Sequence, residues 1–270
     1  MLSTHQQEVK SGQRFEFGKN WKNFLSTVSE LEMQNAAKDI KEWLGTESLT
    51  GKRIIDIGSG SGIHSYVFHL MNAKELISFD YDNDSVEATK KTRQNAGSPD
   101  NWKVIQGSIL DEEFSKKLGL FDIVYSWGVL HHTGNMWKAI ENAISLVQPG
   151  GIFWISIYQK GPGYAKALNL KKKYNNSSFI EKKIMIYSYI FRMMAHRILN
   201  GKNPFTWNQK TTRGMNTYHD LIDWLGGLPY EVATREEIIP FCNSKNLELK
   251  KTIPFPEGGC SIYLFTKNNL

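Results

Sequence analysis

The heptapeptide Asp56-Ile57-Gly58-Ser59-Gly60-Ser61-Gly62 places a carboxylate two residues ahead of three alternating glycines. Glycine has no side chain, so a turn built from it lets a ligand press against bare backbone. A dinucleotide fingerprint needs G-x-G-x-x-G to bring a pyrophosphate onto a helix N-terminus. Here the third glycine comes one residue early, and Ile63 stands where that fingerprint wants glycine. This spacing argues against a nicotinamide dinucleotide. Asp56 would also repel a diphosphate, yet it can accept from a cationic amino group. A zwitterionic amino acid joined to adenosine, as in S-adenosylmethionine, meets both conditions. A second cluster is His131-His132. Imidazole exchanges protons near neutral pH and suits removal of a proton from a hydroxyl.

Strands and helices must position these groups. An apolar run, Lys52-Arg53-Ile54-Ile55, precedes the glycines and helix-like Ile63 to Leu70 follows them. Glu75 to Asp80 reads as a second strand ending in acid, about 20 residues beyond the glycines, where a carboxylate meets ribose hydroxyls. Tyr81 follows and can cover an adenine face; Asp84-Ser85 are expected to cap a helix from about Val86. Trp102 to Gln106 is a third strand, leading to Gly107-Ser108-Ile109-Leu110-Asp111. Leu120 to Trp127 is a fourth, leading to Gly128-Val129-Leu130-His131-His132. Pro149-Gly150-Gly151 turns into a fifth, Ile152 to Tyr158. Short apolar strands alternating with helical stretches predict a parallel sheet covered on both faces. Ligands on such sheets bind beyond the strands' carboxyl ends, where every motif above falls.

With these motifs, residues 50 to 160 closely resemble a class I S-adenosylmethionine-dependent methyltransferase, of the group that includes quinone-biosynthesis and sugar O-methyltransferases. Leu247 to Thr252 and Ile262 to Thr266 fit that family's terminal antiparallel pair. The resemblance implies a seven-stranded Rossmann-like α/β sheet, mostly parallel with an antiparallel terminal hairpin, helices on both faces and a helical lid. It implies that Asp56, Gly58, Ser59, Gly60 and Gly62 hold the methionine part, that Asp80 and Tyr81 serve the ribose end, and that Ser108 and Ile109 meet the adenine. Trp127 is expected to complete this set. Many members carry aspartate at position 108; serine accepts less strongly than a carboxylate, and Asp111 is a candidate to share its role. Phe15 to Trp21, with Arg213-Gly214-Met215 and His219 to Gly227, resemble a bacterial subgroup without an assigned substrate.

In this fold the loop after the fourth strand borders the transferred methyl group. His132 is therefore the expected general base, with His131 orienting the loop or touching the cofactor. Either can instead cap the loop through a backbone hydrogen bond, and His219 is a second candidate base from the lid side. Tyr158, Arg213 and Trp224 are expected to contact the acceptor. Phe17, Asn20 and Trp21 are expected to close the cofactor pocket, unless they only pack a first helix (about Thr27 to Leu44) onto the sheet. No acidic grouping suggests magnesium, and no metal is expected.

The chain has 270 residues, 40% of them hydrophobic and 22% charged, ordinary for a globular protein with a large core. Its divisions are expected at 1–45 (helical cap), 46–160 with 232–270 (methyltransferase domain) and 161–231 (helical lid and substrate-recognition insertion). Met1 to Lys10 is too polar for a signal peptide and no apolar run reaches a membrane span, so a cytoplasmic protein is expected. Cys242 and Cys260 read as reduced core thiols. The net charge of +6 gathers in Lys171-Lys172-Lys173, Lys182-Lys183, Arg192 and Arg197. Nucleic acid is disfavoured as acceptor: the loop after the fourth strand lacks an Asn/Asp-Pro-Pro-Tyr/Phe element and has no cysteine nearby. Phe179 to Leu199 is helical, with Ile180, Ile184, Tyr187, Ile190, Phe191 and Met194 near i, i+3, i+4 spacing. That helix packs as a lid, forms a dimer contact, or rests on an anionic membrane. The expected reaction is O-methylation of a sugar, polyketide, quinone-like or other secondary metabolite, with S-adenosylhomocysteine as product, in a monomer or homodimer. The alternatives are an RNA, tRNA or N-methyltransferase, a non-catalytic cofactor-binding protein, and a nicotinamide oxidoreductase.

Overall fold

The computed structural model describes residues 4–20, 30–208 and 217–269. Seven strands form one sheet in the order β3-β2-β1-β4-β5-β7-β6. The strands are β1 (Arg53–Ile57), β2 (Glu75–Asp80), β3 (Trp102–Gln106), β4 (Phe121–Trp127), β5 (Val147–Tyr158), β6 (Leu247–Ile253) and β7 (Cys260–Lys267). β1 to β5 are parallel, whereas β7 runs antiparallel to both β5 and β6. After β1 the chain moves outward to β2 and β3, then returns so that β4 pairs with the other side of β1. Crossovers therefore diverge between β1 and β4, which opens a crevice above their carboxyl ends. Register puts Asp56 beside Ser78 on one side and Tyr125 on the other, so the ends of β1, β2 and β4 lie level.

Nearly continuous apolar strands require cover on both faces. On one face α1 (Thr4–Lys10) takes no part, while α2 (Glu30–Leu44) and α3 (Ile63–Leu70) supply Ala36, Ile40, Val67 and Phe68 against Ile54, Trp102 and Trp154. α4 (Asn83–Asn95) follows β2, and the short α5 (Glu112–Lys116) follows β3. On the other face α6 (Met136–Ser145) and α10 (Arg235–Asn243) bring Ile140, Ile144 and Ile238 against Ile55, Val124 and Phe153. Each such side chain contributes roughly 1.5–3 kcal/mol by leaving water. Among the described residues, three α-helices lie between β5 and α10: α7 (Tyr164–Asn176), α8 (Phe179–Leu199) and α9 (Thr217–Gly226).

Three expectations need correction. Asp82, not Asp84-Ser85, caps α4: its carboxylate accepts from the Asp84 N–H, so the helix starts three residues earlier. Pro149-Gly150-Gly151 is not a turn before β5 but an irregular stretch inside it, opposite a register shift at Phe121/Ile123. The polar start forms a helix, α1. α8 has the predicted bounds and a Ser178/Glu181 capping box, but four of the six predicted stripe residues face out. Ile180, Ile184, Tyr187 and Phe191 are exposed, whereas Ile186 and Ile190 are buried with Tyr174 and Leu225. α8 has two apolar faces, and only one meets its neighbours.

Candidate active site

A cavity of about 460 Å³ lies beyond the carboxyl ends of β1, β2 and β4, the size that holds a nucleoside-sized ligand. Its floor is the loop joining β1 to α3. Gly58 and Gly62 hold φ of 74° and 76°, which glycine alone adopts without strain. A Cβ on Gly58 would come within 2.3 Å of Val129, and one on Gly62 within 3.0 Å of Thr89. Both glycines are thus demanded by the protein's own packing. Gly62 does not line the cavity, contrary to the role expected for it. Hydroxyls of α4 then fix the loop: Thr89 Oγ1 donates to the Gly60 carbonyl at 3.1 Å and Thr92 Oγ1 to that of Ser61 at 2.7 Å.

Asp56 and Asp80 stand at either side of this floor. Asp56 accepts from Ser65 Oγ at 2.5 Å; Ser65 in turn meets Ser78, which accepts from Trp102 Nε1. Asp80 accepts from the N–H groups of Gly60 and Asp82, each at 3.0 Å. Burial pushes both carboxyls up to about 7; their hydrogen bonds oppose that shift, and each also feels a neighbouring aspartate. Cationic or hydroxyl donors from a ligand would stabilise the ionised forms. Ser59, Gly60, Tyr81, Ser108 and the buried Ile109 line the same wall. Ser108 Oγ accepts from the Leu110 N–H. Asp111 turns away: it caps α5 by accepting from Phe114 and takes no place in the cavity.

The opposite wall is the 3-10 turn Leu130–His132 after β4. His132 Nδ1 lies 2.6 Å from the Pro229 carbonyl, an acceptor, so Nδ1 carries the proton and Nε2 keeps its lone pair. Burial lowers its pKa to about 3; the Pro229 contact opposes this, and the cations of Lys171 and Arg14 add to it. His131 is fully buried, and burial, with His132 and Lys171 beside it, drives its pKa well below the ordinary value. Its Nδ1 accepts weakly from the Tyr158 N–H at 3.4 Å. Its Nε2 has no partner among the described residues, and neither has Trp127 Nε1. Both side chains line the cavity, so these two unpartnered polar atoms belong to residues of its wall.

Tyr158 packs on His131 (4.3 Å between ring centroids) and Trp224 lines the same end. Behind them Lys171 is wholly buried, donates to the Trp224 carbonyl, and sits over the rings of Tyr158, Trp224 and Tyr230. Burial lowers its ammonium pKa to about 7, with Cys260 and Asp223 opposing. His219 does not line the cavity; its neighbours Asp220 and Asp223 do. Cys260 also lines it, so the expectation of two core thiols holds only for the buried Cys242. Trp21 and Arg213 lie outside the described residues. No metal-binding group of three or more side chains occurs among the described residues.

Sequence reasoning missed most of the N-terminal contribution. His5, Glu8, Arg14 and Phe15 line the cavity beside Phe17. Arg14 ties to Glu8 at 2.6 Å and donates to the carbonyls of His132 and Thr133, while its guanidinium lies over Tyr81. Gly18 N–H donates to Asp82 at 2.6 Å, and Asn20 donates to the His219 carbonyl and to Asp223. Residues 4–20 therefore form a strap linking Tyr81 and Asp82, the histidine turn and α9. Only the aromatic density of Phe15 and Phe17 signalled this.

The sequence profile of a methyltransferase-domain family matches residues 48–215. The chain belongs to that family. Its members of this class use S-adenosylmethionine, and the cavity suits that ligand on the evidence of its size, its buried carboxyls and its two unpartnered polar atoms. Among curated proteins, a tRNA U34 carboxymethyltransferase of Methylococcus capsulatus is 25% identical over 181 residues, covering 66% of this chain and 55% of that protein. A ubiquinone biosynthesis O-methyltransferase of Paraburkholderia phymatum is 26% identical over 129 residues, covering 47% and 54%. The chain thus spans about half the length of these relatives. Among solved structures, the magnesium protoporphyrin IX methyltransferase of Synechocystis PCC 6803 with bound S-adenosylhomocysteine aligns with a TM-score of 0.54. It is 13% identical, covers 99% of this chain and 89% of that one, and shows the methyltransferase fold.

Proposed function

We propose that this methyltransferase acts on a hydroxyl of a small organic acceptor, with His132 as general base. The observation that carries the reading is the His132 tautomer: Nδ1–H is committed to Pro229, which leaves the Nε2 lone pair at a cavity wall. Bound S-adenosylmethionine supplies a methyl group on a sulfonium whose leaving thioether is neutral. The protein's share is then orientation and proton removal.

Asp80 and Asp56 would take the ribose hydroxyls and the amino group, with Ser59, Gly60 and Tyr81 beside them. Tyr158 and Trp224 would hold an acceptor near His132. Burial and two nearby cations keep the imidazole neutral throughout the physiological range and make it a weak base. It therefore takes a proton only as the acceptor oxygen forms its new bond. A nitrogen or nucleic-acid acceptor is the competing reading, since a tRNA-modifying relative matches 66% of the chain. The apolar, aromatic acceptor end, closed by Phe17 and Trp224, favours a small molecule. Isothermal titration with S-adenosylmethionine, S-adenosylhomocysteine and NAD tests the cofactor; preferred NAD binding would end this reading. Turnover of a hydroxylated aromatic or sugar panel, lost in His132→Asn while cofactor affinity stays within about twofold, tests the base.

A further inference from the structure

We propose that the outward face of α8 seats on an anionic lipid bilayer surface. This goes beyond methyl transfer and does not rest on it. Ile180, Ile184, Tyr187, Phe191 and Ile198 are 70, 63, 58, 72 and 60% exposed. At about 100° per residue they fall within an arc of roughly 60° along five turns of helix. Leu199 and Phe205, 85 and 80% exposed, extend the patch past the helix end. Single exposed apolar residues are ordinary, but a continuous stripe of this length marks an interaction surface. The helix needs no such stripe for its own packing, because Ile186 and Ile190 already fill the inner face.

Charge selects the occupant. Between Tyr164 and Thr206 nine lysines and arginines face a single acid, Glu181, a balance of +8 in a chain whose total is +6. Only Lys171 among the nine is buried, and Glu181 is engaged in the α8 capping box. Lys183 lies about 40° to one side of the apolar arc and Arg192 about 80° to the other. A second copy would set two strongly cationic faces together. RNA would meet cations but strand five large apolar side chains against phosphates. An anionic bilayer satisfies both parts, taking the apolar stripe below its headgroups and the cations among them. No helix among the described residues is long and apolar enough to cross a membrane, so α8 would lie flat in the interface. Tyr189 on its inner side packs against Trp224 (5.9 Å between centroids), which places this face one helix from the acceptor end of the cavity.

The test uses the full chain in vesicle sedimentation. Expected is binding to vesicles of equimolar phosphatidylglycerol and phosphatidylcholine, weakened by salt, with little binding to phosphatidylcholine alone. Ile184→Glu with Phe191→Glu should weaken binding roughly tenfold or more, and Lys173→Gln with Arg192→Gln should weaken it less. Circular dichroism and cofactor titration, both unchanged in these surface variants, guard against misfolding. The proposal falls if the anionic vesicles are not bound or if the Glu variant binds them as the parent does. It also falls if ultracentrifugation shows vesicle-free self-association that this variant abolishes, or if tRNA is bound in preference to vesicles and lost in the same variant.

Discussion

Asp56 and Asp80 bind their protons more tightly folded than unfolded, and His131 and His132 do the reverse. Unfolded, the carboxyls ionise near pH 4, whereas folded they wait until about 7, so between these values they make stability fall as pH rises. The histidines charge below about 6.5 when unfolded but resist charging when folded, so over much of the same interval they make stability rise with pH. The two pairs offset one another. Melting of the ligand-free protein should therefore change little between about pH 4.5 and 6.5, while Asp80→Asn should melt several degrees higher at the upper end than at the lower, as calorimetry across pH would show. Cofactor binding isolates the carboxyl effect. Affinity by titration calorimetry should improve as pH rises through about 7, and Asp80→Asn should lose about tenfold or more and keep only the part of that dependence that Asp56 supplies. Asp80 was legible because an acid ending the second strand lies at a fixed distance from the glycines. Gly62 was misread because sequence spacing cannot tell a glycine bared for a ligand from one bared for Thr89. The tautomer of His132 depends on Pro229, 97 residues away, and no local pattern carries it.

The N-terminal strap decides how closed the site is. Arg14 pins the histidine turn through the carbonyls of His132 and Thr133, and Gly18 pins the strap to Asp82. Deleting residues 1–20 should leave a folded protein by circular dichroism with cofactor affinity reduced about tenfold; unchanged affinity would reject the strap's role. The loop below is less forgiving. Gly58→Ala drives a methyl into Val129 at a left-handed backbone position and should cost about 2–4 kcal/mol in urea denaturation, without rescue by Val129→Ala, because the backbone strain remains. The strands and α8 were readable because short apolar runs and i, i+3, i+4 spacing are local signals. That α1 reaches the cavity was not readable, since its polar residues carry no sign that His5 meets Tyr81 (5.3 Å between ring centroids).

At the scale of the whole molecule, the sheet is the part that sequence pattern reveals best, and the lid's orientation the part it reveals least. Periodicity locates apolar residues on α8 but merges two faces: Ile190 and Met194 pack inward with Ile186 because α7 and α9 stand on that side, while Ile180, Ile184, Tyr187 and Phe191 face out. Strand order has a further effect during synthesis. β7 is made after the six other strands yet fits between β5 and β6. Until residues 260–267 leave the ribosome, the long apolar β5 shows a bare row of amide and carbonyl groups, the kind of edge onto which other nascent chains add. A message truncated after Gly259 should yield a protein that light scattering detects as aggregate although its crevice sequence is complete. The β6–β7 hairpin thus acts as a closing clasp over the edge of β5.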